Sequence, residues 1–245
     1  MLSELVFHCL WIAGRYNGID GKLQCFHGAP APGEMLMSNT LVAPELEMFP
    51  NRYRWTVEAC DRLIELGFLE DHIEVLDGEI ISKMGQNPAH SNALKRLMRV
   101  LSSLYGLDVL WIQSPVALPA PDNVYSEPEP DIAVTYESED AYADRHPGPE
   151  DLRLVVEVSD TTLRTDLIVK ARLYARAGIA EYWILDINAR KLYIHREPVG
   201  GEYTVITVHA ETETIVLAVH PDAPIGIADI LPPIAAGKSA ANGVE

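Results

Sequence analysis

The chain has 245 residues, with 19 Lys plus Arg against 36 Asp plus Glu and a formal net charge of −17. At 48% hydrophobic and 22% charged, it has the composition of a globular protein able to bury a sizeable core, in one large domain or two small ones. So acidic a chain is not held on nucleic acid by bulk charge, although a local basic patch, or acids that hold metal ions, stays compatible with it. Cys9, Cys25 and Cys60 show neither paired spacing nor a CxxC motif. No zinc site and no disulfide framework is expected, which suits a cytoplasmic, reducing environment.

The apolar run Leu5 to Ala13 is interrupted by His8, is too short to span a bilayer and is preceded by no Lys or Arg. Neither a membrane span nor a signal peptide is expected. Ala29-Pro30-Ala31-Pro32-Gly33 breaks any element nearby, and Met35, Met37 and Met48 follow. Residues 1–50 are read as a poorly structured extension. It is either a start-site artefact, with the functional chain beginning near Met37, or a genuine disordered tail.

From Arg52 the pattern sharpens into one domain over residues 51–234. Thr56 is placed to cap a helix that runs to about Leu66, with Glu58 in its first turn and Gly67 after it. "IEVLDGEIIS" reads as two short strands about Asp77-Gly78. Leu94, Leu97, Met98, Leu101, Leu104 and Tyr105 recur at helical spacing, with Lys95, Arg96 and Arg99 on the polar side. "VLWIQSPVAL" and "DIAVTY" read as strands, and an acidic loop rich in Pro and Gly follows. "LVVEVS" is a strand, and a helix ends at Gly178. "EYWILDI" and "KLYIHR" form a hairpin about Asn188-Ala189-Arg190, and "YTVITV" and "TIVLAV" are further strands. The tail 235–245 is small and polar, and is expected to be flexible. Strands dominate the middle of the chain, with helices before and among them. This predicts a mixed α/β fold, a central mixed sheet with helices packed on its faces.

One acid interrupts the apolar strand "LVVEVS". Glu157 shares a strand face with Arg153, Val155 and Ser159, opposite Leu154, Val156 and Val158. It lies near the strand's end, where ligands of α/β sheets bind. Asp131 opens "DIAVTY". Two acids brought together repel and raise each other's proton affinity. A divalent hard cation such as Mg²⁺ or Mn²⁺ removes that conflict and keeps waters for chemistry. On the next helix, Leu167, Ile168, Ala171, Tyr174 and Ala175 form the expected buried stripe, with Asp166 and Lys170 at its edge. A lysine there can turn back toward Glu157. Spacing alone favours the plainer alternative, a local i,i+4 pair with Asp166.

The segments "IEVLDGEII", "EPEPDIAV", "DAYADRHPGPEDL" and "LVVEVSDTTLRTDLIVKARLYARAGIAEYWILDI" resemble, in order, those of the Uma-two family, within the PD-(D/E)XK restriction-endonuclease-like superfamily. The resemblance runs from about Arg52 to Pro232. It implies a restriction-endonuclease-like core and a Mg²⁺- or Mn²⁺-dependent endonuclease acting on DNA. Pro130-Asp131 matches the PD element and Glu157 the D/E. The superfamily's usual lysine lies two residues after that acid, where this chain has Ser159; the resemblance implies that Lys170, from a D-x-x-x-K helix, supplies the charge instead. Glu74 matches an acid before the D-G-E turn, which implies a further metal ligand; its residues alone equally allow an exposed strand acid. His90 matches a family histidine, which implies contact with phosphate or water; a structural place at the helix start is the alternative. Asp166 is expected to orient Lys170 or to stand behind it. Asp77 is read as a turn residue, Asp186 as structural, and Tyr174, Tyr182 and Trp183 as core. Arg172 and Arg176, like the basic residues of the earlier helix, are read as a solvated face that can also meet a nucleic-acid backbone. By analogy with the superfamily the protein is expected to work as a homodimer. A non-catalytic binding or assembly module that keeps the nuclease fold is the alternative function.

Overall fold

The computed structural model describes residues 53–83, 85 and 87–234. The expectations for residues 1–50 and for the tail 235–245 lie outside the described residues.

Helix α1 (Val57–Glu65) begins where the Thr56 side chain accepts the Ala59 N–H at 3.1 Å, and Gly67 past its end has φ +73°. Strands β1 (Ile73–Leu76) and β2 (Glu79–Ser82) pair antiparallel about Asp77 and Gly78, whose φ values of 50° and 81° match the two-residue turn that their sequence predicts. Helix α2 (Pro88–Tyr105) is capped by the Asn87 side chain, has Pro88 in its first turn, and buries Ala93, Leu94, Leu97 and Leu101.

The central sheet has six strands: β3 (Leu110–Ile112), β4 (Ile132–Thr135), β5 (Leu152–Ser159), β6 (Glu181–Asp186), β7 (Lys191–Val199) and β8 (Glu202–Ala210), in that spatial order. All neighbours are antiparallel except β5 and β6. A parallel pair needs a crossover, and the helical stretch between β5 and β6 supplies it. That stretch opens as a π-helical turn (Thr165–Lys170) and continues as α3 (Ala171–Ala177), closed by Gly178 at φ 83°. The sheet is mixed, as predicted.

Strand β5 is buried on both faces, apart from half-buried Arg153. Leu154, Val156 and Val158 pack with Ala93, Leu94, Leu97 and Leu101 of α2 and with Ile227 and Ile230 of the short helix α4 (Ile227–Ile230). On the other face Val155 packs with Ala171, Tyr174 and Ala175 of α3 and with Tyr182 and Ile184 of β6. Helices therefore cover both faces of the sheet, and Glu157 belongs to the α3 face.

Three expectations change. The strand read into "VLWIQSPVAL" stops at Ile112, because Gln113 takes φ 47° and its N–H turns to Asp131 O at 3.2 Å. The strand read into "TIVLAV" is shorter, β9 (Thr214–Leu217), and pairs with β10 (His220–Gly226), which carries two prolines and shifts register between His220 and Ile225. Prolines are tolerated there because the pair is a separate two-stranded sheet with open edges. Finally, the buried stripe after β5 is Asp166, Lys170, Ala171, Leu173, Tyr174 and Ala175, with Leu167 and Ile168 only half-buried. The Ala171 N–H reaches back five residues to Asp166 O, and this wider turn rotates the helix relative to an α-helical reading. No helix among the described residues is long and apolar enough to cross a membrane.

Candidate active site

Strand register brings the two central acids together. Ile132 pairs with Val156, so Asp131, directly before β4, comes beside the end of β5 and acts on Glu157 by its charge. The Val158 N–H donates to Asp131 Oδ2 at 2.8 Å, which fixes the carboxylate against the end of β5. His90 Nε2, at the start of α2, lies 3.2 Å from the same oxygen, and Gln113 Nε2 donates to Asp131 Oδ1 at 3.2 Å. Burial pushes the Asp131 carboxyl up, but His90 and the other donors outweigh it and hold the group below its ordinary range. His90 is affected in the reverse sense: burial lowers it, Asp131 raises it further, and the imidazole stands above its ordinary value. Both shifts favour an ion pair between the two once the imidazole is protonated.

Glu157 is only 4% exposed. Lys170 Nζ donates to its Oε1 at 2.8 Å, and the Tyr174 hydroxyl donates to the same oxygen at 3.0 Å. Lys170 Nζ also lies 3.0 Å from Glu74 Oε1. Lys170 therefore reaches the acid pair's strand from the following helix. Its amine goes to Glu157 and Glu74, not into the local pair with Asp166 that spacing favours. The π-helical turn is the physical reason, since it turns Lys170 inward.

Ser159, two residues after Glu157, donates to Asp166 Oδ2 at 2.6 Å, and Thr162 Oγ1 donates to the same oxygen at 2.7 Å. Asp166 is thus held by hydroxyls behind the lysine and acts on Lys170 through its charge.

Glu74 is buried rather than exposed, which corrects the strand-acid reading. The hairpin that carries it is pinned to the segment leading into Asp131. Val75 and Glu127 form an antiparallel bridge, the Gly78 N–H donates to Tyr125 O at 2.7 Å, and the Asp77 N–H donates to Ser126 Oγ at 2.8 Å. Within this seam the Glu129 N–H donates to Glu74 Oε1 at 2.7 Å. Asp77 sits in the turn, as read, and also pairs with Arg176 at 2.7 Å.

The charge balance is distinctive. Burial pushes Glu157 well above the ordinary carboxylate range; Lys170 opposes this, while Asp166, Asp131 and Glu74 add to it. Burial likewise pushes up Asp166. Burial draws the Lys170 ammonium down, but Glu157, Glu74 and Asp166 outweigh it and the ammonium is held above its ordinary value. Burial raises the two carboxyls and the neighbouring carboxylates outweigh it at Lys170, in a site with more carboxylates than cations. Added positive charge relieves that excess.

Among the described residues no group of three or more His, Cys, Asp or Glu forms a cage for a metal ion. Mg²⁺ does not need one, since it is commonly held by one or two carboxylates and its own waters. Asp131 and Glu157, two carboxylates near enough to act on each other's charge, fit that donor set.

Several site residues carried no local signal. Tyr174 packs in the core as read, yet its hydroxyl serves Glu157; its i,i+4 spacing from Lys170 is the one clue. Gln113 is placed by a left-handed backbone conformation after β3. Lys83, directly after β2, pairs with Glu129, forty-six residues away in sequence. Burial lowers the Lys83 ammonium; the charges of Glu74, Glu157 and Asp131 raise it, and Lys170 lowers it further. Of the basic residues read as a possible nucleic-acid face, Arg172 pairs with Glu202 at 3.0 Å and Arg176 with Asp77 and Asp122. Arg96 donates to Asn92 Oδ1 at 3.0 Å, while Lys95 and Arg99 are exposed on α2. Asp186 Oδ1 accepts the Asn188 and Ala189 N–H groups at 3.0 and 2.8 Å and so shapes the β6–β7 turn.

A crystal structure described as "a putative nuclease belonging to DUF820", from Anabaena variabilis ATCC 29413, superposes with a TM-score of 0.52 at 17% identity. The match covers 70% of this chain and 96% of that one, a likeness of fold. No curated protein matches this chain. The Uma2 family, described as "Putative restriction endonuclease", matches residues 61–227, about two thirds of the sequence. The chain belongs to the Uma2 family, and its six-stranded mixed sheet is that of a nuclease-like fold.

Proposed function

We propose that this protein is a metal-dependent endonuclease that hydrolyses phosphodiester bonds of DNA, with its centre at Asp131, Glu157 and Lys170. The observation that carries the reading is that Asp131, directly before β4, stands near enough to Glu157 of β5 to act on its charge, with the Lys170 ammonium 2.8 Å from Glu157. Asp131 and Glu157 would hold Mg²⁺ or Mn²⁺, with Glu74 as a further candidate ligand. The ion, when bound, supplies an acidified water and neutralises charge on the phosphate.

The residues of the chain set up that chemistry. His90, Gln113 and the Val158 N–H keep the Asp131 carboxylate ionised and fixed in direction. Lys170 and Tyr174 both donate to Glu157 Oε1, so that Oε2 would be the oxygen available to hold an ion. Lys170 also offsets the negative charge that gathers in the transition state. Ser159 and Thr162 hold Asp166 behind Lys170, so that the lysine keeps its proton.

A cleavage assay on DNA and RNA with Mg²⁺, Mn²⁺ or chelator tests this reading. Wild type is expected to cut DNA only with metal, and Asp131→Ala, Glu157→Ala and Lys170→Ala are expected to lose the activity. Unchanged cutting by all three variants sinks the proposed centre. The second reading, a binding module without catalysis, is favoured by one observation: Asp131 and Lys170 already have internal partners. Nucleic-acid binding without metal-dependent cutting would select it.

A further inference from the structure

Two lysines stand at the carboxylate cluster, and they differ in what they can do. Lys170 is 6% exposed and held between Glu157 and Glu74. Drawing it toward an incoming group would leave two buried carboxylates uncompensated, which proteins rarely tolerate. Lys83 is placed otherwise. Its side chain is 31% exposed and Glu129, its ion-pair partner among the described residues, is 26% exposed; a pair that water reaches is weaker than a fully enclosed one.

The two lysines belong to one line of contacts. Lys83 pairs with Glu129; the Glu129 N–H bonds Glu74 Oε1; Glu74 pairs with Lys170, and Lys170 with Glu157. The mount of Lys83 is firm, because its own N–H donates to His72 O at 2.9 Å and the hairpin is sewn to residues 125–129. Glu129 stands two residues before Asp131 in the sequence. Lys83 is thus at the outer end of the same cluster, near enough for Glu74, Glu157 and Asp131 to act on its charge.

A phosphodiester that approaches the Asp131–Glu157 pair brings negative charge to a cluster that already holds Glu74, Glu129, Asp131, Glu157 and Asp166. It needs a cation that can move to meet it. We infer that Lys83 is the phosphate-contacting cation of this site: its ammonium exchanges Glu129 for a non-bridging oxygen of the nucleic-acid backbone, and Glu129 holds it in place until then. The inference rests on the nuclease reading above for its substrate. It involves an exchange of ion pairs and no covalent step.

The test uses the full chain with Lys83→Met, Lys83→Arg and Glu129→Gln, each checked for an unchanged melting temperature. Binding of a short DNA duplex is followed by fluorescence anisotropy over a range of KCl, without metal, and cutting is followed with Mg²⁺ and Mn²⁺. Lys83→Met is expected to weaken binding and to reduce the slope of log K against log salt by about 1, the loss of one phosphate contact. Its cutting rate is expected to fall by about 10²-fold or more, as for loss of one preorganised charge donor. Lys83→Arg should keep most of the salt slope, and Glu129→Gln should tighten binding, because its competing carboxylate is gone. Lys83→Met with the wild-type slope and rate overturns the inference, as does weaker binding by Glu129→Gln. If wild type binds DNA but never cuts it, the nuclease reading falls while the salt slope still judges Lys83. If wild type binds no DNA at all, both fall.

Discussion

The Lys170 ammonium lies 2.8 Å from Oε1 of Glu157, thirteen residues earlier in the chain, and 3.0 Å from Glu74. A strand, a tight loop and a π-helical turn separate the two groups in sequence, and the turn closes the distance. Lys170→Met would leave Glu157 and Glu74 buried without a counter-charge. Breaking a buried pair in this way costs about 3–5 kcal/mol. The variant is expected to show a lower urea midpoint with an unchanged m-value, as well as loss of cutting. A variant as stable as wild type would show that Lys170 is not what compensates these acids.

Tyr174→Phe removes one of two donors to Glu157 Oε1 and leaves the ring in its place between α3 and β6. A buried acceptor that loses one of its donors costs about 1–2 kcal/mol. The expected outcome is a modest loss of stability, and a higher Mn²⁺ concentration for half-maximal cutting. A pure packing role for Tyr174 predicts neither change.

Ser159→Ala takes a hydroxyl from Asp166 and leaves Thr162 as a donor. Asp166 is 2% exposed. The loss should destabilise the protein by about 1–2 kcal/mol at neutral pH. Ser159→Thr, which keeps the hydroxyl, is expected to fall between the alanine variant and wild type in thermal denaturation.

Binding of Mn²⁺ to the folded state alone raises its melting temperature by linkage. Titration of wild type with Mn²⁺ should therefore raise the melting temperature. Asp131→Asn and Glu157→Gln should each reduce the rise. Equal shifts in all three proteins would place the ion elsewhere.

His195 lies between Tyr182 and Tyr203, 3% exposed, and its two ring nitrogens find no hydrogen-bond partner among the described residues. Burial lowers it to about 4, below the ordinary value of 6.5. The folded state then binds fewer protons than the unfolded state between these two values. The stability His195 contributes is full above about pH 6.5 and is lost as pH falls toward about 4, a change of about 3 kcal/mol. His195→Phe should flatten the dependence of stability on pH over that window. It should also be at least as stable as wild type at pH 7, because an unsatisfied polar ring is removed. An unchanged pH profile would show that another group governs acid unfolding.

Local order was legible in the residues. Thr56 and the Asn87-Pro88 pair mark the helix starts, Asp77-Gly78 makes a hairpin, and the apolar run around Glu157 makes a central strand. These signals act over a few residues, through backbone preference and hydrophobic period, so a sequence carries them by itself. The chemistry of Asp131 and Glu157 was foreseeable, but it took the pairing of β4 with β5 to bring Asp131 beside the end of β5. Tertiary structure alone decided the rest. The turn from Thr165 to Lys170 took π-helical geometry, which exchanged Leu167 and Ile168 for Asp166 and Lys170 in the buried stripe. Gln113 reached Asp131 through a left-handed residue, and Lys83 met Glu129 across forty-six residues once the β1–β2 hairpin docked on the segment before β4. Contacts between distant residues depend on how whole elements pack, and no short window of sequence holds that information. The chain by itself determined which groups were available for chemistry; packing decided which of them share one pocket.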